Sequence, residues 1–473
     1  MIRPAPALLA AAVTAEAGLL LAVTNPFHPL SGRWVLPWEA GAGLAFAVAV
    51  SALRRLHLSW RAGLFLVLGV AVLLDLIAML TGPTSSDDDF RYAWDAKVQL
   101  HGIDPYRYAP ADPALASLRD GFTFTGAEGC RADRLVPLHG CALINRPFVP
   151  TIYPPVAQAV FVLLRLASFG RGAQLPLQLG AALAGLGVTT LLARRVREQR
   201  LSWWAVALWA WCPITVLELA NDAHIEGVAV LVSLAALVAA ERGRDGRAGL
   251  WAGAAIAVKL YPALLLPALA RRRPRLVLGG AVGLVALSYA PHVLVVGRSV
   301  IGYLPGYLNE DGYRSGGRFL LLGLLVPSRL AEVVAVLLLA AVAGFVWRSG
   351  PDEPAAGSVL MVGAFFLVAT PGLSWYSLLL LALGAYTGRV EWLGVVAAPT
   401  VIYLGVKFGW DQLVVGRIAY LLGGILVLAV TLGRNGYYGR WQNRTAQIVR
   451  PNSFMTATAH EEGDSRAQPD TAR

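Results

Sequence analysis

The chain has 473 residues, 56% hydrophobic and only 15% charged, with a mean hydropathy of +0.58. That composition excludes a soluble protein of this length: apolar runs of 16–22 residues, separated by short charged stretches, describe an all-α polytopic membrane protein. The formal net charge of +11 does not mark a nucleic-acid binder, because the basic residues sit in short inter-helix loops and the tail, where they set topology.

The first apolar run, "APALLAAAVTAEAGLLLAV", lacks a basic n-region and a clear cleavage site and reads as a retained helix. Helices are expected near 5–24, 36–53 and 62–82. The strongly basic "RRLHLSWR" between the second and third predicts a cytoplasmic loop and a cytoplasmic N-terminus. The chain then reaches the outer face after Gly82, and 83–154 is a large first extracytoplasmic loop.

That loop opens on "TSSDDDFRYAWDAKVQLHG", where Ser85 or Ser86 can cap a helix running to about Leu100 and ending at His101-Gly102. At about 100° per residue, Asp88, Arg91, Tyr92, Asp95 and Gln99 gather on one face. Phe90, Ala93, Trp94, Lys97 and Val98 gather on the other. The pattern predicts an amphipathic helix at the membrane surface, with its aromatics and the Lys97 stem in the interface and its polar face toward the protein. Acidic residues in a first helical turn also favour the macrodipole with no further role. Cys130 and Cys141 share the loop and are expected to pair as a disulfide. With Asp133 and His139 nearby a metal site is the alternative, but the spacing matches no tight ligand pattern, and none is assigned.

Further basic loops, "RRVREQR" (194–200), "RGRDGR" (242–247) and "RRRPR" (271–275), can all be cytoplasmic on two conditions. The apolar piece 155–170 must not span, and 249–270, broken by Lys259 and Pro262, must dip in and return as a re-entrant pair. The remaining runs give about 12 spans with both termini inside, one membrane domain over 1–450, and a disordered cytoplasmic tail over 451–473. The only lysines are Lys97, Lys259 and Lys407, and a charge at membrane depth, as at Lys259, is a functional candidate. "NDAHIEG" (221–227) sets Asn221, Asp222, His224 and Glu226 between two apolar spans, and "ATPGLSWY" (369–376) ends in an aromatic pair. Glu16 and Asp75 are expected to pair with other helices, and Cys212 to be a small core residue.

Five segments, "SDDDFRYAWDAKVQLHGIDPYRYAP", "TIYPPVAQAVF", "WCPITVLELANDAHIEG", "WAGAAIAVKLYPALLLPAL" and "TPGLSWYSLLLL", fall in that order across 85–381. Together they resemble the bacterial polyprenyl-phosphate-mannose-dependent, mannosyltransferase-like branch of the glycosyltransferase C superfamily. The resemblance implies a GT-C-like transmembrane bundle in a bacterial plasma membrane with an extracytoplasmic active site. It implies a polyprenyl-phosphate sugar as donor, a glycan or glycolipid as acceptor, and a first-loop aspartate as base. The family's acidic position falls on Asp88, in agreement with the helical phase. "NDAH" and "GLSWY" depart from the family's commoner Gly-His-Asn-Asp and His-Pro-Trp-Tyr orders, so Ser374 supplies no imidazole.

The expected roles are Asp88 as general base, with Arg91, Lys259 and His224 holding the donor phosphate. Tyr92, Asp95, Tyr153, Asp222, Trp375 and Tyr376 are expected to contact substrate. No cofactor is called for, although an Asp-rich loop leaves room for a divalent cation. The rival from another class is a transporter or flippase of a lipid-linked substrate. The intramembrane Lys259 suits that rival; the large acidic loop and the missing internal repeat do not.

Overall fold

A computed structural model describes residues 4–25, 35–137, 139–168, 174–198 and 200–448, with side chains to residue 433. The expected disorder after 451 lies outside the described residues. The chain divides into two units, residues 1–427 and 428–473, and the described part of the second continues the last helix.

Three apolar helices come first: α1 (Pro4–Val23), α2 (Val35–Leu53) and α3 (Trp60–Ala78). Each has about 20 residues, and at about 1.5 Å per residue such a helix matches a hydrocarbon core of about 30 Å. The acidic helix α4 (Asp88–Leu100) follows, ending at His101 with Gly102 at φ 75°. Next comes a small antiparallel sheet, β1 (Phe124–Thr125), β2 (Leu135–Val136) and β3 (Gly140–Ala142), in the order β1-β3-β2. Helices α5 (Pro155–Ala167), α6 (Gln174–Arg197), α7 (Trp203–Ala210) and α8 (Pro213–Thr215) lead into a π-helical turn over Val216–Asn221. Then come α9 (Glu226–Glu241), α10 (Asp245–Ile256), α11 (Leu266–Leu269), α12 (Pro274–Val296), α13 (Leu304–Glu310), α14 (Ser328–Arg348) and α15 (Pro354–Ala369). The chain continues through α16 (Ser377–Thr387), α17 (Leu393–Lys407) and α18 (Gln412–Ile448).

Among the described residues eight helices are long and apolar enough to cross a membrane, or nine if the bent pair Trp203–Ala210 and Pro213–Asn221 counts as one. The reading of about 12 also counts shorter segments that fail this length test, such as α15 at 16 residues.

Side-chain contacts fix two ends of the bundle. At one end Arg54 lies over Trp204, Arg197 over Trp60, Arg242 pairs with Glu198 at 3.2 Å, and Arg195 pairs with Glu241. All the basic loops meet there. Arg273 also lies 3.7 Å from Asp245, so the chain from 245 to 273 starts and ends at this basic end, as a re-entrant hairpin must. Its tip, around Ala257–Lys259, is carried to the opposite end, where the Ala257 carbonyl accepts from the Val156 and Ala157 amides at 2.9 and 3.3 Å. Helix α5, 13 residues long, leaves that tip, and the chain is back beside Asp89 at Gln174. It is too short to cross a bilayer.

Two expectations change. The apolar face of α4 does not lie in a lipid interface: Trp94 and Val98 pack with Leu115, Leu118, Phe124, Val136, Ala142 and Ile144 of the following loop. Lys97 pairs with Asp120 at 2.7 Å. The loop supplies its own apolar partners, so α4 is sandwiched between the loop and α5. Glu16 finds no partner on another helix: it is fully buried, and neither carboxylate oxygen is hydrogen-bonded among the described residues.

Candidate active site

The site forms where α4, the segment after β3, the start of α5, the turn after Asn221 and the hairpin tip converge. Local chemistry places α4 first. Asp88 and Asp89 in its first turn and Lys97 in its last complement the helix dipole. The N-cap is Asp87, without a side-chain cap bond; the Ser86 hydroxyl instead accepts from the Asp88 amide at 3.3 Å.

The approach to α4 is seated from across the chain. Asn221 donates to the Ala78 carbonyl at 2.9 Å, while its Oδ1 accepts from the Thr84 amide and hydroxyl at 3.0 and 2.6 Å. Asp222 Oδ1 accepts from the Thr84 and Ser85 amides, each at 3.0 Å, and Oδ2 from the Ser85 hydroxyl. A π-helical turn and Ala223 at φ 58°, rare for a residue with a Cβ, bring this cluster about. The same reversal returns the His224 amide to the Glu218 carbonyl at 3.0 Å.

Asp88 is the centre. Its Oδ1 accepts from Asn145 Nδ2 at 2.5 Å; its Oδ2 accepts from the Tyr153 hydroxyl at 2.9 Å and lies 3.5 Å from that of Tyr92. Burial alone would raise this carboxyl. The positive His224 and Lys259, with the hydrogen bonds from Tyr153 and Asn145, outweigh it and hold the group below its ordinary value. Asp88 is therefore an ionised acceptor at neutral pH. Its neighbour Asp89 has the opposite fate: burial raises it to about 7, although Gln174 donates to it at 2.8 Å.

Around Asp88 stand the cations. Lys259, at the hairpin tip, pairs with the fully buried Glu226 at 2.7 Å and lies 4.8 and 5.7 Å from the ring centroids of Tyr153 and Tyr376. His224 stacks on Trp375 with centroids 4.2 Å apart, and its Nδ1 meets Glu218 Oε2 at 2.9 Å. Its Nε2 lies 3.1 Å from the Ser86 hydroxyl. Burial would lower the imidazole, but the hydrogen bond and charge of Glu218 raise it to about 9. The segment 297–314 covers the Tyr376 side, with the hydroxyls of Tyr307 and Tyr376 2.7 Å apart and Arg146 bidentate on Glu310.

Of the residues expected at the site, Asp88, Tyr92, Tyr153, Asp222, His224, Lys259, Trp375 and Tyr376 are brought together. Arg91 and Asp95 have other tasks. The buried Arg91 guanidinium binds Asp95 at 3.3 Å and the Val149 carbonyl at 2.8 Å, with a longer contact to the Arg146 carbonyl. Asp95 also accepts from Gln158 at 2.9 Å. A charge on a buried helix face needs partners, and the returning loop reached Arg91 first. The pair is a strut between α4, the loop and α5, so the structure engages Arg91, expected at the phosphate, and Asp95, expected at the substrate, with each other and with the loop instead of with the Asp88 cluster.

Sequence reasoning passed over Asn145, which carries no periodic signal, and Lys407, which donates to the Ser85 carbonyl at 2.9 Å. The scarcity of lysine was the available signal for Lys407. Glu218, Asp222 and His224 also offer ligand atoms within 4.8 Å of one another, a set that fits a divalent cation by donor type. Next to them a cavity of about 610 Å³ extends between α2, α8 and α17. Its walls are mostly apolar, and its polar end carries Glu39, Glu218 and Asp222 against Lys407. Cys130 and Cys141 form a disulfide with Cα atoms 5.5 Å apart.

Residues 151–371 match the family model of glycosyltransferase family 87. The match is somewhat less than half of the chain; it begins beside Tyr153, includes His224 and the hairpin tip, and does not reach Asp88. With the apolar helices it indicates a membrane glycosyltransferase. No curated protein and no solved structure gave a significant match.

Proposed function

We propose that this chain transfers a sugar, mannose by the resemblance of its motifs, from a polyprenyl-phosphate donor to a hydroxyl of a lipid or glycan acceptor. Asp88 is the general base, and the active site faces the extracytoplasmic side of a bacterial plasma membrane. The observation that carries the reading is the Asp88 carboxylate, ionised and held on both oxygens at the convergence of five segments, beside a region that matches a glycosyltransferase family.

The acceptor oxygen attacks the anomeric carbon as the bond from that carbon to the phosphate oxygen breaks. Asp88 takes the acceptor's hydroxyl proton, and the polyprenyl phosphate leaves with the bonding pair. Lys259 at the hairpin tip and His224, both near enough to hold the Asp88 carboxyl down, supply positive charge for the departing phosphate. Trp375, which carries His224 on one face, and its neighbour Tyr376 are the aromatic rings assigned to the sugar. The apolar cavity suits the hydrocarbon tail of a lipid substrate. Glu218, Asp222 and, once its imidazole is deprotonated, His224 would hold a divalent cation if one is used, whose charge would replace that of His224 beside Ser86.

The test is transfer by purified protein in lipid nanodiscs, with a panel of radiolabelled polyprenyl-phosphate sugars and a membrane-lipid extract as acceptor. Labelled product from a polyprenyl-phosphate mannose, absent with Asp88→Asn, is expected. Transfer from nucleotide sugars alone would overturn the donor class, and unaltered movement of a lipid-linked sugar across the bilayer without transfer would favour the flippase.

A further inference from the structure

We propose that Asn145 is a positioning residue for Asp88, delivered to it by the disulfide-closed hairpin that precedes it. The inference rests on Asp88 acting as the base.

Asn145 Nδ2 has two hydrogens and both are committed to adjacent carboxylates, Asp88 Oδ1 at 2.5 Å and Asp87 Oδ1 at 3.0 Å. Asp87 Oδ2 is bound by Arg134, from the same hairpin, and Arg134 also donates to the Leu143 carbonyl at 3.0 Å. The hairpin thus grips the start of α4 through two side chains. Tyr153 holds the other oxygen of Asp88 from α5's approach. The carboxylate plane is fixed from both sides, while each oxygen retains acceptor capacity for a substrate hydroxyl.

The hairpin is built to hold that position. Cys141 lies in the central strand, paired with Thr125 on one side and Leu135 on the other, and is bonded to Cys130. Gly140, at φ 80°, passes so close to β1 that a Cβ would stand 2.0 Å from the Thr125 carbonyl oxygen. Two and four residues further on, Ala142 and Ile144 are fully buried against Trp94 and Val98 of α4. Packing on α4 therefore sets the height of the strand, and Asn145 follows directly at the level of Asp88. Arg146 comes next at φ 48°, a conformation rare for a residue with a side chain, which turns the chain away after the contact. An amide N–H donor favours the ionised carboxylate, so Asn145 orients the base and keeps it deprotonated together.

A plain structural clamp on the helix start is the competing account, and pH dependence separates the two. The intact protein in nanodiscs is assayed as wild type, Asn145→Ala, the near-isosteric Asn145→Asp and Cys130→Ser/Cys141→Ser. Asn145→Ala is expected to lower kcat on the order of 10- to 100-fold with donor KM nearly unchanged, a part of the ~10²- to 10⁴-fold general-base contribution. It should also move the acid limb of kcat/KM to higher pH. Asn145→Asp, which adds a like charge, should move it further the same way, and the cysteine double variant should shift it in the same direction by less. In the Asp88→Asn background, Asn145→Ala should cost nothing more. An unmoved acid limb in Asn145→Asp, or an equal loss with and without Asp88, overturns the proposal. If Asp88→Asn itself turns over like wild type, the base assignment falls instead.

Discussion

Three adjacent aspartates carry three environments. Asp87 is taken by Arg134 and Asn145, Asp88 is ionised at the centre, and Asp89 is buried against Gln174. Asp88→Asn keeps the shape and removes the proton acceptor, so turnover should fall roughly 10²- to 10⁴-fold with expression unchanged. Asp89→Asn should remain active, and thermal melts should show a pH-dependent gain. The fold favours protonated Asp89, with the carboxyl raised from 3.8 to about 7. Its stabilising effect is complete below the unfolded value and is lost as pH rises through about 7. Asn escapes that loss, so the variant should gain stability at pH 8, at most about 4 kcal/mol at about 1.4 kcal/mol per unit, and little at pH 4. A gain of equal size at both pH values would contradict this account. For Lys259→Ala, the donor KM should rise far more than the acceptor KM. Unchanged donor saturation would leave the lysine a structural partner of Glu226 only.

At the scale of elements, the hairpin tip and the segment 297–314 are the parts whose docking the site depends on. Gly302 sits at φ 57°, its Cβ position 1.8 Å from the Thr151 carbonyl oxygen, and the Tyr303 amide donates to that oxygen at 3.3 Å. Gly302→Ala should push the segment off Thr151 and cost about 1–3 kcal/mol, the range for strained backbone, seen as a lower Tm and as faster proteolysis within 297–314. The Arg146–Glu310 pair joins the same two segments, yet both side chains are over 40% exposed. Glu310→Ala should therefore cost no more than about 1 kcal/mol despite the bidentate geometry. Comparable losses in the two variants would show that the ion pair, rather than the backbone fit, docks the segment. The phase of α4 was legible in its sequence: Arg91, Tyr92 and Asp95 do turn toward the protein. What covers its other face was not, because a stripe of Trp94 and Val98 fits a lipid interface and a protein loop equally well.

For the whole molecule, the meeting of all the basic loops at the end opposite Asp88 is the strongest topological feature. With positive charge retained in the cytoplasm, this supports an outward-facing site. In a Cys212→Ser background, Glu128→Cys should react with an impermeant thiol reagent added to intact cells, and Arg244→Cys only after lysis. The reverse pattern would invert the topology and remove the extracytoplasmic site.

The sequence by itself determined that the chain is a helical membrane protein, and it left the path of 155–275 conditional on whether 155–170 and 249–270 span. Hydropathy and charge act on each segment separately, so they can be summed along the chain without knowing what it touches. The acidic helix and the candidacy of Asp88 came from the same local logic of phase and capping. Only the tertiary structure decided which polar groups meet: Asn145 with Asp88, Glu226 with Lys259, Lys407 with the Ser85 carbonyl. It also withdrew Arg91 from the site by giving it Asp95 and the Val149 carbonyl. A buried charge must find a partner. Which partner it finds depends on packing between segments that are, for Ser85 and Lys407, 322 residues apart in the chain.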